Sequence, residues 1–269
     1  MWQWRLESFS MRCSVTVDLL GIPIAGVFGA MFGSFLNVLI LRLPKDESIV
    51  FPGSHCPRCQ TPIAGYDNIP VLSWLILGGK CRHCRERISV QYPLIELCTA
   101  GLWAAAAWYY GVTLEAATAA VFGTILLGIA VTDARHYLIP DEYTLGGLVL
   151  GLLLSLRGGW DGLLQAVIGA VTGFVILYVV AFAGEKVFGK EAMGGGDIKM
   201  MAMVGAFVGW NGVLLTIFGG SLLGTIVFVP LSIKQKRLVP FGIFLAAAAA
   251  LTFVFGDAAI AWYLAWVLG

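Results

Sequence analysis

The sequence predicts an all-α polytopic membrane protein, with about eight transmembrane helices and one small metal-held loop. Three observations carry that prediction. Hydrophobic residues make up 59% of the chain and charged residues only 12%, about half the charged share of a soluble globular domain. Apolar runs near or beyond the ~20 residues that cross a bilayer recur along its length. Lysine and arginine are spread unevenly over the polar segments between those runs.

The apolar runs fall at roughly 17–41, 93–110, 114–132, 143–157, 162–184, 197–209, 212–232 and 241–267. Ahead of the first lie Arg5, Glu7 and Arg12, superficially like a signal peptide's basic region. The apolar stretch continues to Leu41, too long for a cleavable segment, and no small-residue cleavage site stands out. It reads as an uncleaved anchor, with Trp2 and Trp4 at the lipid interface. The fourth and sixth runs are short. Between the sixth and seventh, Gly209-Trp210-Asn211-Gly212 reads as a turn. Alanines at 104–107 and 246–250 permit close helix packing. The chain thus divides into a first segment and helix at 1–41, a loop domain at 42–92 and a multi-helix membrane domain at 93–269.

Orientation follows from the basic residues. The first loop carries Arg42, Lys45, Arg58, Lys80, Arg82, Arg85 and Arg87. If it is cytoplasmic, Arg135, Lys186, Lys190, Lys199, Lys234, Lys236 and Arg237 fall inside too. Only Arg5, Arg12 and Arg157 are left outside. That asymmetry fits the positive-inside rule and predicts a multi-pass protein with the lipid bilayer as its surroundings. The net charge of +1 gives no reason to expect nucleic acid as a partner.

The loop holds Cys56-Pro-Arg-Cys59 and Cys81-Arg-His-Cys84, separated by 21 residues. Two CxxC knuckles at this spacing read as one tetrahedral zinc site, each knuckle placing two thiolates on one tight turn. A cytoplasmic location favours metal over disulfides, and a loop with so few apolar residues needs a staple. The neighbouring His55 and His83 are alternative ligands. Cys13 and Cys98 have no partner pattern and read as ordinary apolar residues.

Two aspartates stand where apolar runs begin or end. Asp133 follows Thr124–Thr132, and Asp197 closes Gly194-Gly195-Gly196. The charge count puts both at cytoplasmic helix ends. A carboxylate at a membrane edge is costly unless paired or wetted, so it is a functional candidate by default. Two that meet, sharing one proton, are the equipment of an aspartyl protease. Membrane aspartates also carry cations in ion- or proton-coupled transporters. Both being on one side rather than midway, and the lack of an inverted repeat, weigh against that alternative. A zinc-bearing structural scaffold is a third reading, and it leaves the glycine-aspartate arrangement unexplained.

With these residues in view, the chain resembles the bacterial type IV prepilin leader peptidases, which also process pseudopilins of type II secretion. The resemblance rests on Gly33-Ser-Phe-Leu-Asn-Val-Leu-Ile-Leu-Arg-Leu-Pro44, the paired knuckles, Gln91-Tyr-Pro-Leu-Ile-Glu96, Asp133 with Ile139-Pro-Asp141, Gly194-x-Gly-Asp197 with Lys199, and Pro240-Phe-Gly242. Gly195 stands where the family often has an aromatic, and Ile243 where it often has a second proline. The resemblance, and it alone, implies a bacterial cytoplasmic (inner) membrane as the location. It also implies a bifunctional enzyme. It would cut the short basic leader from a prepilin or pseudopilin on the cytoplasmic side, then N-methylate the new terminal residue, usually phenylalanine, with S-adenosylmethionine. It maps the catalytic aspartates onto Asp133 and Asp197. The methyl donor is implied by resemblance alone, since no motif in the chain marks a nucleotide fold.

Several residues remain as supports. Gly194 and Gly196 let backbone approach closely and admit an extended strand. Capping of the sixth helix is the competing reading for Asp197, and capping of the fourth for Asp141. Glu96 is expected in the first turn of the second span, where the helix dipole tolerates it, or lining a substrate or cofactor cavity. Asn37 needs a polar partner within the bilayer. Lys199 either neutralises charge near the aspartates or reaches out to water.

Overall fold

The computed structural model describes residues 20–189, 193–234 and 240–268. The expectations for Trp2, Trp4, Arg5, Arg12, Cys13, Lys190, Lys236 and Arg237 lie outside them. Among the described residues all regular structure is helical: α1 (Gly21–Arg42), the short α2 (Leu72–Ile76), α3 (Gln91–Tyr110), α4 (Leu114–His136), α5 (Asp141–Ser155), α6 (Gly159–Phe188), α7 (Gly195–Lys234) and α8 (Gly242–Leu268). Local chemistry sets the ends. Pro44 follows α1, and Pro93 sits in the first turn of α3, where its missing N–H costs nothing. The Thr113 hydroxyl accepts the Ala116 N–H at 3.2 Å and caps α4. Gly189, at φ 65°, closes α6 by donating its N–H to the Glu185 carbonyl.

Helices stand at each of the eight expected segments, but five stretches among the described residues are long and apolar enough to cross a bilayer. They are Gly21–Lys45, Leu114–His136, Asp141–Phe188, Gly195–Val227 and Gly242–Val267. The difference from eight has physical sources. Polar Glu96 and Thr99 lower the apolar character of α3, α5 and α6 run on through one tight turn, and α7 joins two helices across a kink at the expected turn, 209–212. There only Gly209 leaves the helix, at φ 70° and ψ 176°, a conformation essentially reserved for glycine. Trp210, Asn211 and Gly212 are helical.

The chain forms two units, divided within α4 between Thr124 and Ile125. In the first, α1 packs on α3. Gly29 faces the Thr99 carbonyl and Ala100, and Gly33 faces Glu96 and Thr99, so the two backbones lie close. Leu36, Ile40 and Ile95 are buried beside them. Ala106 meets Ala116 and Ala120 across α3 and α4, and the Trp103 indole N–H donates to the Thr124 hydroxyl at 3.0 Å.

In the second unit α7 packs against α5, α6 and α8. Met200, Met201, Met203 and Val204 of α7 are fully enclosed. Its backbone touches that of α6 directly, Gly205 on Gly169 and Met201 on Gly173. Such seams replace the hydrophobic drive that is missing between helices in lipid. Outward faces are apolar, with Ile24, Val27, Phe28 and Met31 on α1 and Val171, Phe174 and Val175 on α6 exposed.

Candidate active site and metal centre

Asp133 lies in the last turn of α4. That helix ends because Tyr137 turns left-handed at φ 54° and donates its N–H back to the Asp133 carbonyl at 3.0 Å, the αL form of C-terminal cap. The side chain of Asp133 is 6% exposed. The Gly242 and Ile243 amides, in the first turn of α8, are aimed at its carboxylate, so a helix N-terminus faces it. Gly242 must be glycine for this approach: a Cβ there would stand 2.6 Å from Asp133 Oδ2.

Asp197 enters from the opposite kind of terminus, the first turn of α7. The helix begins at Gly195, so Asp197 is inside it and not a residue before it, contrary to the capping expectation. Its N–H donates to the Gly194 carbonyl at 3.2 Å. Ile139 lies against Gly196 on one side and Gly242 on the other, which holds the start of α7, with Asp197, beside the start of α8, whose Gly242 abuts Asp133. Asp197 feels the charge of Asp133. Each carboxylate keeps one enclosed oxygen without a protein donor, Oδ2 of Asp133 and Oδ1 of Asp197. A groove of about 220 Å³ opens next to Asp197, lined by Tyr178, Phe182, Glu185, Met193, Gly195 and Ile198.

Asp141 and Lys199 pair with each other. The ammonium donates to both Asp141 oxygens, at 2.7 and 2.8 Å. Asp141 is therefore not the cap of α5; Pro140 holds that position, with no side-chain cap bond. Its carboxylate instead ties the start of α5 to the first turn of α7, two residues from Asp197. Sequence reasoning missed Thr132 and Tyr143, whose enclosed hydroxyls lie next to Asp133 along α4 and in the first turn of α5. A tyrosine at the very start of the fourth apolar run was the available signal.

In the first unit the four cysteines converge, their sulfurs all within 4.8 Å of one another. Cys56 and Cys84 are 3.7 Å apart, and Cys59 and Cys81 are 4.0 Å apart. Four sulfurs about 2.3 Å from a zinc ion would be separated by about 3.8 Å, so the donor set fits. The two knuckles have the same hydrogen bonding. Gln60 and Arg85, at φ 57° and 60°, donate to the Cys56 and Cys81 carbonyls, while Cys56 and Cys81 donate to Thr61 and Glu86. Hydrogen bonds from the Thr61 side chain and backbone pull the Cys59 thiol down to about 6. The backbone of Cys84 and His83 lowers Cys81. Neither histidine belongs to the cluster, and His55 Nδ1 pairs with the Gly53 carbonyl at 3.0 Å. Around the knuckles, Arg82 grips Asp67 with two bonds and holds its carboxyl below the usual range.

Glu96 and Asn37 belong to this first unit. Glu96 is in the second turn of α3, not the first as expected, and accepts the Val71 N–H at 2.7 Å. Asn37 finds the polar partner its setting requires: its amide donates to the Tyr92 carbonyl at 3.1 Å.

Comparison with known proteins agrees with the sequence. The family model "Bacterial Peptidase A24 N-terminal domain" matches residues 27–110, and "Type IV leader peptidase family" matches residues 120–229. A "Prepilin leader peptidase/N-methyltransferase" of Myxococcus xanthus is 41% identical over 80% of this chain and 64% of its own length. Proteins of the same name from Aeromonas salmonicida and Neisseria gonorrhoeae are 37% and 35% identical, each over 90% of this chain and 93% and 94% of their own lengths. No solved structure matches. The chain belongs to the type IV leader peptidase family.

Proposed function

We propose that the chain is a membrane aspartyl endopeptidase that removes the short leader of type IV prepilins or type II secretion pseudopilins, and then N-methylates the new terminus. What supports the peptidase reading is the nearness of Asp133 to Asp197, close enough for one charge to act on the other, with one enclosed oxygen on each that no described group satisfies. One carboxylate, ionised, takes a proton from water; the other, protonated, hydrogen-bonds the scissile carbonyl as the hydroxide adds. Like charges at close range do not readily ionise together, so the pair holds one proton between them and titrates as a unit. The Gly242 and Ile243 amides steady Asp133 through the exchange. Gly194, which bears no side chain beside Asp197, leaves an extended substrate strand room to approach, while Gly196 lets Ile139 pack close behind the pair.

Eight membrane crossings, with both aspartates at the cytoplasmic face, agree with the distribution of lysine and arginine. In that topology only a bond at the cytoplasmic edge of the bilayer reaches the pair. The four cysteines, Cys56, Cys59, Cys81 and Cys84, hold structural zinc and fold the loop, which serves substrate docking or methylation more than water activation. S-adenosylmethionine supplies an electrophilic methyl group when bound. The Glu96 carboxylate and the unsatisfied Asn37 Oδ1 suit cationic reactants of that kind. Ion transport finds no support among the relatives, whose names are those of peptidases and methyltransferases.

Purified protein incubated with a prepilin-like precursor and S-adenosylmethionine tests this directly. Mass spectrometry should find one cut between a small residue and the first residue of the apolar helix, and a methyl group on the released terminus. A cut deep in the apolar helix or on its outer side would refute the topology. A correctly cut product that is never methylated would remove the second activity alone.

A further inference from the structure

Away from the aspartate pair, the packing of α1 on α3 encloses a second set of polar groups. Glu96 is 7% exposed. One oxygen accepts the Val71 N–H, and the Ser34 hydroxyl faces the same carboxylate. Among the described residues no lysine, arginine or histidine forms an ion pair with it. Asn37 is 1% exposed. Its Nδ2 donates to the Gly33 and Tyr92 carbonyls at 3.3 and 3.1 Å. Those two bonds fix the amide's orientation, because the reverse would set Oδ1 against two acceptors. Oδ1 is left enclosed with no donor. Ser34 and Asn37 share one face of α1, three residues apart, and Tyr92 and Glu96 are four apart on α3. The seam therefore holds a carboxylate and an amide oxygen, with one hydroxyl and one backbone N–H as their donors and no described cation paired with them.

Enclosing such groups is unfavourable. An amide oxygen enclosed without a donor loses its hydration with nothing in return, and a carboxylate at membrane depth loses more. The chain also bends its backbone to reach Glu96. Val71 sits at φ 60° and ψ −50°, and Leu72 donates to the Pro70 carbonyl at 2.6 Å across it, a rare and strained γ-turn for a β-branched residue. A latch for one N–H requires only a neutral acceptor, which glutamine would supply. A carboxylate beside a donor-starved amide fits a charged donor better.

We propose that Glu96 and Asn37 receive the protonated amine of a peptide N-terminus, the methyl acceptor that cleavage creates; this rests on the bifunctional reading above. An ammonium group is all donor and complements the Glu96 carboxylate and the donor-starved Asn37 Oδ1. There the amine passes one proton to the Glu96 carboxylate, and its freed lone pair forms the new N–C bond. The donor's S–CH₃ bond breaks in the same step, its electron pair staying on sulfur, and Glu96 returns its proton to water. The methyl donor carries an ammonium group of its own, so the same chemistry has two sources.

The test uses the full chain in lipid nanodiscs and peptides that begin with the mature terminal phenylalanine, with the amine either free or acetylated. Wild-type protein should bind the free-amine peptide at least about tenfold more tightly, the scale of one charged hydrogen bond. Equal binding of the two peptides overturns the proposal without requiring any variant. Glu96→Gln, which keeps an acceptor for Val71, should abolish that preference. It should also lower the methylated share of cleaved product about tenfold or more, with zinc content unchanged. A wild-type methylated share in Glu96→Gln overturns the proposal in favour of a latch. Loss of S-adenosylmethionine affinity in this variant, with the peptide preference intact, overturns it in favour of the donor's amine. If wild-type protein methylates nothing, the bifunctional reading fails, and the peptide preference still reports on the seam separately.

Discussion

Asp133 and Asp197 occupy opposite kinds of helix terminus, and the proposed dyad requires both carboxylates for chemistry. Asp133→Asn or Asp197→Asn should each reduce leader cleavage by about 10⁴-fold or more, while the protein still inserts and accumulates. Near-normal cleavage by either variant, followed by mass spectrometry, would dismantle the assignment. Asp141→Asn is expected to retain substantial activity. Its bond to Lys199 is between half-exposed side chains and is worth about 0.2–1 kcal/mol, enough to adjust the start of α7 but not to run the reaction. In the loop, Arg82 holds the Asp67 carboxyl below its ordinary value. A depressed folded-state value stabilises above the unfolded one and is lost as pH falls through the folded one. Protease resistance of the loop should therefore weaken below about pH 4, and Asp67→Asn should flatten that acid limb. An unchanged limb would mean the pair does not hold the loop.

Glycine does two distinct jobs in the helices, and alanine substitution separates them. Gly173 presses on the Met201 carbonyl of α7, whereas nothing lies near Gly146 of α5. Gly173→Ala should destabilise by about 1–3 kcal/mol through overpacking, and Gly146→Ala should stabilise by up to about 1 kcal/mol through helix propensity. Melting in detergent reads both, and equal effects would contradict the seam. Such contrasts mark the limit of what the sequence made legible. Apolar runs, prolines and glycines located the long helices to within a few residues, because bilayer thickness and capping are local constraints; the short α2 in the loop carried no such signal. The knuckle spacing located the cysteine cluster, and motif order located the aspartates. What stayed hidden depended on contacts distant in the chain: Asp141 finding Lys199, Gly242 yielding room to Asp133, and Val71 reaching Glu96. The break in α7 was expected as a four-residue turn, but one glycine at positive φ suffices and the helix resumes at once.

Across the molecule, chemistry is assigned to separate units: the aspartate pair to residues after Thr124, the cysteine cluster and the Asn37–Glu96 seam to residues before it. Metal analysis of freshly reduced protein should return one zinc per chain, lost on Cys→Ser change at 56, 59, 81 or 84. A stoichiometry near zero would leave the loop without its staple. Such damage should reach methylation before cleavage. The matched hydrogen bonding of the two knuckles has a further consequence. Each hairpin supplies half of a tetrahedron, and neither encloses an ion by itself. With zinc as the link, the loop has no useful half-assembled form. When zinc is scarce, a population of these enzymes would not soften uniformly; it would sort into complete and collapsed copies. A titration would then read as a headcount, with the slope fixed and only the number of working molecules changing.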